Sequence, residues 1–218
     1  MKNSWQILTL LLAIALVALS IKVAVTPSGN VASVAQEITA AERSQIALDA
    51  IMTRSSVRSY TSQSVEQEKI DILLKAAMAA PTAGNRQPWE FVVITDREVL
   101  DSIPGIIKAA QMVKKAPLAI VVCGVPAKSF AGDLSQYWIQ DCSAATENLL
   151  VAANAIELGA VWCGTYPNDK SNRQAKLQAL LNLPDGTIPL NVIAVGYPDS
   201  PATIKDKWMA EKVHYNRY

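Results

Sequence analysis

Two arginines four residues apart, with two serines between them, form the first group in this chain whose residue types could do chemistry: Arg54-Ser55-Ser56-Val57-Arg58. Guanidinium forks bind phosphate and other planar anions, and serine hydroxyls add neutral hydrogen bonds. On its own the cluster more commonly marks a solvated helix end whose cations complement the helix dipole. A second group, Ala80-Pro81-Thr82-Ala83-Gly84-Asn85-Arg86-Gln87-Pro88-Trp89, collects a hydroxyl and two carboxamides, which both donate and accept hydrogen bonds. Such groups suit the edges of a heteroaromatic ring. A helix–strand turn in which Asn85 and Gln87 satisfy backbone is an equal alternative. The third group, Lys205-Asp206-Lys207-Trp208, could hold a phosphate if the tail folds back, although a surface charge run is the commoner meaning.

Much other chemistry is excluded. The 20 basic and 19 acidic side chains leave a formal charge of +1, with no surplus for a dedicated nucleic-acid binder. One histidine, His214, and three cysteines make a zinc cage or a Ser-His-Asp hydrolase a poor fit. Cys123, Cys142 and Cys163 stand 19 and 21 residues apart in apolar surroundings with no C-x-x-C, which reads as buried free thiols. His214, between Val213 and Tyr215, reads as a packing or hydrogen-bonding residue. Neither G-x-G-x-x-G nor G-x-x-x-x-G-K-S/T occurs.

These groups must be held by regular elements. Thr39-Ala-Ala-Glu42 is a capping box that opens a helix with Ile46, Ala47, Ala50 and Ile51 on one side. Ser64-Val-Glu-Gln67 repeats the pattern ahead of Ile70, Leu73, Leu74, Ala77 and Met78, and Pro81 stops that helix. Residues 90–95 and 118–123 are short β-branched runs that predict buried strands. A long helix is expected over 133–158 with Trp138, Cys142, Ala145, Leu149, Ala152 and Ile156 on one stripe, ended by Gly159. A strand over 160–163, a helix over 171–181 and a last strand over 190–195 follow. Helices alternating with strands predict a mixed α/β class with helices covering a sheet.

The N-terminus departs from this pattern. Residues 7–21 carry no charge, Lys2 precedes them, and no acidic residue appears before Glu37. Residues 1–35 are therefore expected to be a signal or anchor segment plus linker ahead of a domain over 36–218, with residues 6–25 as a membrane attachment. The chain is expected to be exported or membrane-anchored, with a cytoplasm-facing domain left open.

Taken together and in order, the three groups resemble the FMN-dependent nitroreductase family. R-S-S-V-R resembles that family's R-x-S-x-R/K element, and A-P-T-A-G-N-R-Q-P-W resembles its S-P-S-x-x-N-x-Q-P-W loop. L-G-A-V-W-C-G-T-Y-P over 158–167 resembles its turn beside the flavin, and K-D-K-W with H-Y-N-R-Y resembles its C-terminal arm. The resemblance implies an α+β fold forming an intertwined homodimer, with FMN sites between subunits. It implies FMN contacts from Arg54, Ser55, Ser56 and Arg58 on one side, with Arg54 toward the phosphate and Arg58 toward the pyrimidine edge. Thr82, Ala83, Asn85 and Gln87 would come from the other subunit, Gly164 would offer backbone to the flavin, and Lys205 and Lys207 would bind the phosphate. Ala83 departs from a commoner serine and loses one side-chain hydrogen bond, and Lys108 and Gln111 are further candidates near the ring.

The implied reaction takes electrons from NAD(P)H and reduces a nitroaromatic, quinone or similar small acceptor, with no catalytic protein acid or nucleophile. Two alternatives stand beside it: a flavin-dependent dehalogenase-like enzyme, and an exported flavin-binding protein without turnover. A leader and a cytoplasmic reductant fit together only if the domain faces the cytoplasm or the donor differs.

Overall fold

The computed structural model describes residues 38–167 and 170–218. The chain divides into two units, Met1–Arg43 and Ser44–Tyr218. The expected leader over 1–35 lies outside the described residues.

The first helix, α1 (Ala40–Thr53), opens on the expected capping box. The Thr39 N–H donates to Glu42 Oε2 at 2.9 Å and the Glu42 N–H donates to Thr39 Oγ1 at 3.2 Å. Its apolar stripe is not a core stripe, however. No residue of α1 is buried; Ile46 is 58% and Met52 65% exposed. The second expected capping box does not form. Helix α2 (Gln67–Met78) begins after Glu66, which makes no cap bond and instead accepts the Tyr197 hydroxyl at 2.7 Å.

Four strands follow: β1 (Trp89–Ile94), β2 (Leu118–Gly124), β3 (Gly159–Gly164) and β4 (Ile188–Gly196). They pair antiparallel throughout in the order β1-β2-β4-β3, so the fold is α+β rather than a parallel α/β sheet. Every residue of β2 is buried, because both faces of the sheet are covered. Leu118, Ile120 and Val122 join one core with Ile70 and Leu73 of α2 and Leu149 of α4 (Tyr137–Ala155). The alternate residues Ala119, Val121 and Cys123 join the other, with Leu100 and Ile103 of α3 (Arg97–Ile106) and Leu177 of α5 (Arg173–Leu180). Side chains on a strand point alternately to opposite faces, which is why one apolar run feeds two cores.

The β2–β4 register breaks between Val122 and Cys123. Val122 faces Asn191 while Cys123 faces Pro189, so Leu190 is the extra residue of a bulge. Pro189 has no N–H for the ladder, and the bulge accommodates it. The Leu190 carbonyl is thereby turned outward and accepts from the Thr165 and Tyr166 amides at 3.0 and 3.2 Å. The Thr165 hydroxyl donates to the Pro189 carbonyl. Together they fix the turn that follows Gly164.

The expected long helix is shorter than 133–158. A 3-10 turn, Gly132–Gln136, precedes α4, and Glu157 at φ +64° unwinds its end before Gly159. Helix α3 was not expected. Asp96 caps it, its Oδ1 accepting from the Glu98 and Val99 amides at 2.8 and 3.2 Å. A further 3-10 segment, Lys108–Lys114, follows it.

The expectation of an exported or membrane-anchored chain is corrected. Among the described residues, no helix is long and apolar enough to cross a membrane. The longest of them, α4, lays its apolar side on the sheet and carries Asp141 and Glu147 within its span. The run over residues 6–25, on which that expectation rested, lies outside the described residues.

Candidate functional site

Arg54, Ser55, Ser56 and Arg58 leave the end of α1 and line a cleft of about 810 Å³, whose opposite side carries Lys205 and Lys207. The backbone of 54–58 is stapled to β3. Ser56 bridges to Ala160 in parallel, and the Val57 N–H donates to the Ala160 carbonyl at 3.1 Å. Val57 also fills the space over Gly159, where a Cβ would lie 2.6 Å from its side chain. The buried Tyr60 hydroxyl donates to the Val57 carbonyl at 2.6 Å, and burial pushes its pKa far above the usual phenol value, so it stays a donor.

The charges in the cleft are unequal. Arg54, Arg58, Lys205 and Lys207 face Asp199 and Asp206. Asp199 accepts the Ser59 hydroxyl, and Asp206 Oδ1 accepts the Trp208 N–H at 2.9 Å. Arg54 Nε lies 3.3 Å from Glu147 Oε1. Lys207 Nζ donates to the Arg54 carbonyl at 2.6 Å and lies 3.4 Å from that of Met52, so it ties the tail to the end of α1. Asn154 Nδ2 braces the same helix end, donating to the Ala50 carbonyl at 3.0 Å. The cleft keeps a surplus of cations beside two serine hydroxyls, a donor set suited to a phosphate monoester.

The second expected group lies elsewhere. Thr82, Ala83, Asn85 and Gln87 do not line the cleft, and neither does Gly164. The loop over 82–87 is a tight structure with Gly84, Asn85 and Gln87 all at positive φ, between +48° and +59°. Thr82 Oγ1 accepts the Gln87 N–H at 3.2 Å, and Asp141 Oδ1 accepts the Ala83 N–H at 2.9 Å. A side chain at Gly84 would be strained at φ +59°, and its Cβ would lie 2.8 Å from the Phe130 ring, which would have to shift; the Arg86 guanidinium stacks over that ring at 4.8 Å. The side chains of Asn85 and Gln87 are exposed. Gly164 ends β3 opposite Asn191.

Sequence reading missed Asp141 and Asp199. Asp141 carried a signal, being an acid within the turns that present Trp138, Cys142 and Ala145. Of the additional candidates, Gln111 turns its carboxamide to backbone, with Nε2 donating to the Pro104 and Lys108 carbonyls, both at 3.3 Å. His214 is exposed and packs on Tyr218 with ring centres 4.2 Å apart. All three cysteines are buried and free.

An antiparallel sheet with helices on both faces and a cationic cleft against its β3 edge is the α+β fold of flavoprotein reductases resembling nitroreductases. The family model described as "Nitroreductase family" matches residues 51–128 and 108–197. A protein of Methanothermobacter thermautotrophicus, provisionally named NADH dehydrogenase/NAD(P)H nitroreductase, is 39% identical over 171 residues, 78% of this chain and 87% of the relative. A crystal structure from Parabacteroides distasonis under the same provisional name superposes with a TM-score of 0.74 at 45% identity, covering 79% of this chain and 98% of that one. An FMN-dependent nitroreductase from Clostridium difficile superposes with a TM-score of 0.71 at 29% identity, covering 78% and 99%. The chain belongs to the nitroreductase family.

Proposed function

We infer that this oxidoreductase works with FMN, takes electrons from NAD(P)H, and passes them to a nitroaromatic, quinone or similar small acceptor. The observation that carries the reading is the convergence of Arg54, Arg58, Lys205 and Lys207 with Ser55 and Ser56 on one cleft. Its volume of about 810 Å³ falls in the range of small-molecule sites, roughly 300–1,000 Å³. Its cation surplus matches the phosphate of FMN, so the residues fit the group. FMN supplies the redox chemistry when bound.

The chain's own residues bind and orient it. Lys205, exposed on the cleft wall, and Arg54 neutralise the phosphate, while Ser55 and Ser56 donate to its oxygens. Arg58 holds a cation at the pyrimidine edge, where it stabilises negative charge. Lys207 adds its charge from a fixed position, because two backbone carbonyls already hold it. Gly164 presents a backbone N–H with no side chain to obstruct close approach. Asn85 and Gln87 offer carboxamides to a ring edge.

The site is completed in a homodimer. Helix α1 exposes Ile46, Leu48, Ile51 and Met52, and the tail exposes Ile204, Trp208 and Met209. An apolar recess of about 490 Å³ lies beside Ile51, Ala76 and Val151. One copy cannot bury this surface, and patches of that kind mark interfaces. The separation of the 82–87 loop from the cleft supports its delivery by the partner subunit.

The test is an absorption spectrum of purified protein before and after anaerobic NADH or NADPH. A bound flavin that bleaches is expected; failure to take up added FMN would overturn the reading.

A further inference from the structure

Asp141 is a carboxylate where the fold favours an apolar side chain. It is 4% exposed, beside the fully buried Cys142 and the nearly buried Trp138 on α4. Burying a carboxylate is costly unless hydrogen bonds offset it. Its Oδ1 accepts the Ala83 N–H at 2.9 Å, while its Oδ2 is buried without a partner among the described residues. The Ala83 N–H is therefore the hydrogen-bond donor that this buried side chain takes among the described residues.

That bond falls at a sensitive point. Three of the next four residues after Ala83, namely Gly84, Asn85 and Gln87, have positive φ. Left-handed conformations at residues other than glycine are costly and persist only where neighbours over-determine them. Here Asp141 holds the loop's entrance, the Phe130 ring backs Gly84, and Thr82 Oγ1 closes the exit on the Gln87 N–H. A charge-assisted hydrogen bond is about twice as strong as a neutral one, which suits the clamp. The start of α4 also holds the turn after Gly164. Trp138 meets Tyr166 edge-on at 5.0 Å, and the Tyr166 hydroxyl lies 3.4 Å from Gln136 Oε1, two residues beyond Gly164.

We propose that Asp141 is a positioning residue for the cofactor site: by accepting the Ala83 amide it sets where Asn85 and Gln87 meet FMN. The first turns of α4 are then the common bracket for the 82–87 loop and the turn after Gly164. This inference rests on the FMN reading above, and the experiment separates the two.

FMN is titrated into the apo form of the full chain, wild type first, with flavin fluorescence as readout. Absence of binding by the wild type overturns the FMN reading and this inference with it. Given wild-type binding, Asp141→Ala raises the FMN Kd about tenfold or more, the loss of one charge-assisted bond. Asp141→Asn keeps an oxygen for the Ala83 amide and stays within about threefold of the wild type, a rescue that general destabilisation does not produce. Val121→Ala, a core change on the other face of the sheet, lowers the melting temperature and leaves the Kd unchanged. An Asp141→Ala protein that binds as the wild type does, or an Asp141→Asn protein as impaired as Asp141→Ala, overturns the assignment. If Asp141→Ala does not fold, amide exchange in the wild type decides: slow exchange at Ala83 is expected, and rapid exchange there overturns it.

Discussion

The middle of the sheet and the two ends of the domain use the same kinds of residue in opposite ways. β2 and β4 bury Ile120, Val121, Ile193 and Ala194 completely, so their apolar surface is satisfied within one chain. Helix α1 and the tail carry Ile46, Ile51, Ile204 and Trp208, yet hold them in solvent; Trp208 is 71% exposed. The cationic cleft lies where these two regimes meet, with Ser56 stapled to β3 and Lys207 tied to the end of α1. The segment over 54–59, pinned to the edge of the sheet at Ala160, and the tail over 199–209 supply the lining. Apolar content alone therefore does not say whether a residue holds a fold or an assembly together.

The sharpest way to break this comparison is to charge the open helix. Ile46→Glu with Ile51→Glu is expected to halve the mass measured by light scattering and to abolish FMN retention, while circular dichroism stays near wild type. Both side chains are exposed within one chain, so its own folding should lose little. An unchanged mass would mean that α1 is not the dimer face.

The complementary change is in the core. Leu73 is fully buried between α2 and the sheet. Leu73→Ala is expected to cost about 2–5 kcal/mol in denaturant unfolding and to leave the folded fraction dimeric. A loss of dimer without loss of stability would reverse the roles assigned to the two regions.

Between core and rim lie the cations of the cleft. Lys205→Ala is expected to weaken FMN binding by roughly tenfold, more at low salt than at high, as a screened phosphate contact should. Arg58→Ala is expected to lower the flavin potential by roughly 30 mV, the two-electron equivalent of tenfold. An unchanged potential would remove Arg58 from the pyrimidine edge.

The same contrast explains which parts of the molecule were legible in its sequence. Strands over 90–95, 118–123 and 190–195 stood out because chains of β-branched residues have few other uses. Helix α1 was legible in its capping box and misleading in its stripe, since Ile46 and Ile51 look the same whether the partner surface is internal or a second copy. Ser64 failed as a cap because the helix starts only at Gln67, whose carboxamide turns forward to Asp71 Oδ1 at 2.8 Å, while Glu66 before it is engaged by Tyr197 across 131 positions. Helix α3 was hidden by Pro104, although Asp96 marked its start. Within the candidate site, the arginine–serine cluster and the two lysines line one cleft, although each alone reads more commonly as a solvated helix end or a surface charge run. Asp141 and the Leu190 bulge escaped notice, because each acts on a loop distant in sequence.

The smallest expected effect tests how closed the sheet is. Burial pushes the Cys123 and Cys142 thiols up to about 12, and Cys163, at the site end of β3, up to about 11. A buried thiol is thus neutral near pH 8 and a poor nucleophile. Iodoacetamide at that pH is expected to leave all three unmodified in the native protein and to label all three in denaturant. The linkage has a definite sign. An unfolded thiol ionises near pH 8.5 while the folded one holds its proton, so stability is full below about pH 8.5 and falls as pH rises toward 11–12. Cys142→Ala is expected to flatten that alkaline decline. Cys163 contacts Met112, with sulfurs 3.6 Å apart, and lies next to Gly164, so it should be the first thiol labelled as pH is raised. If Cys123 or Cys142 reacted first, the centre of the sheet would open more readily than its site edge, and the division between a closed core and an open rim would fail where it is drawn most firmly.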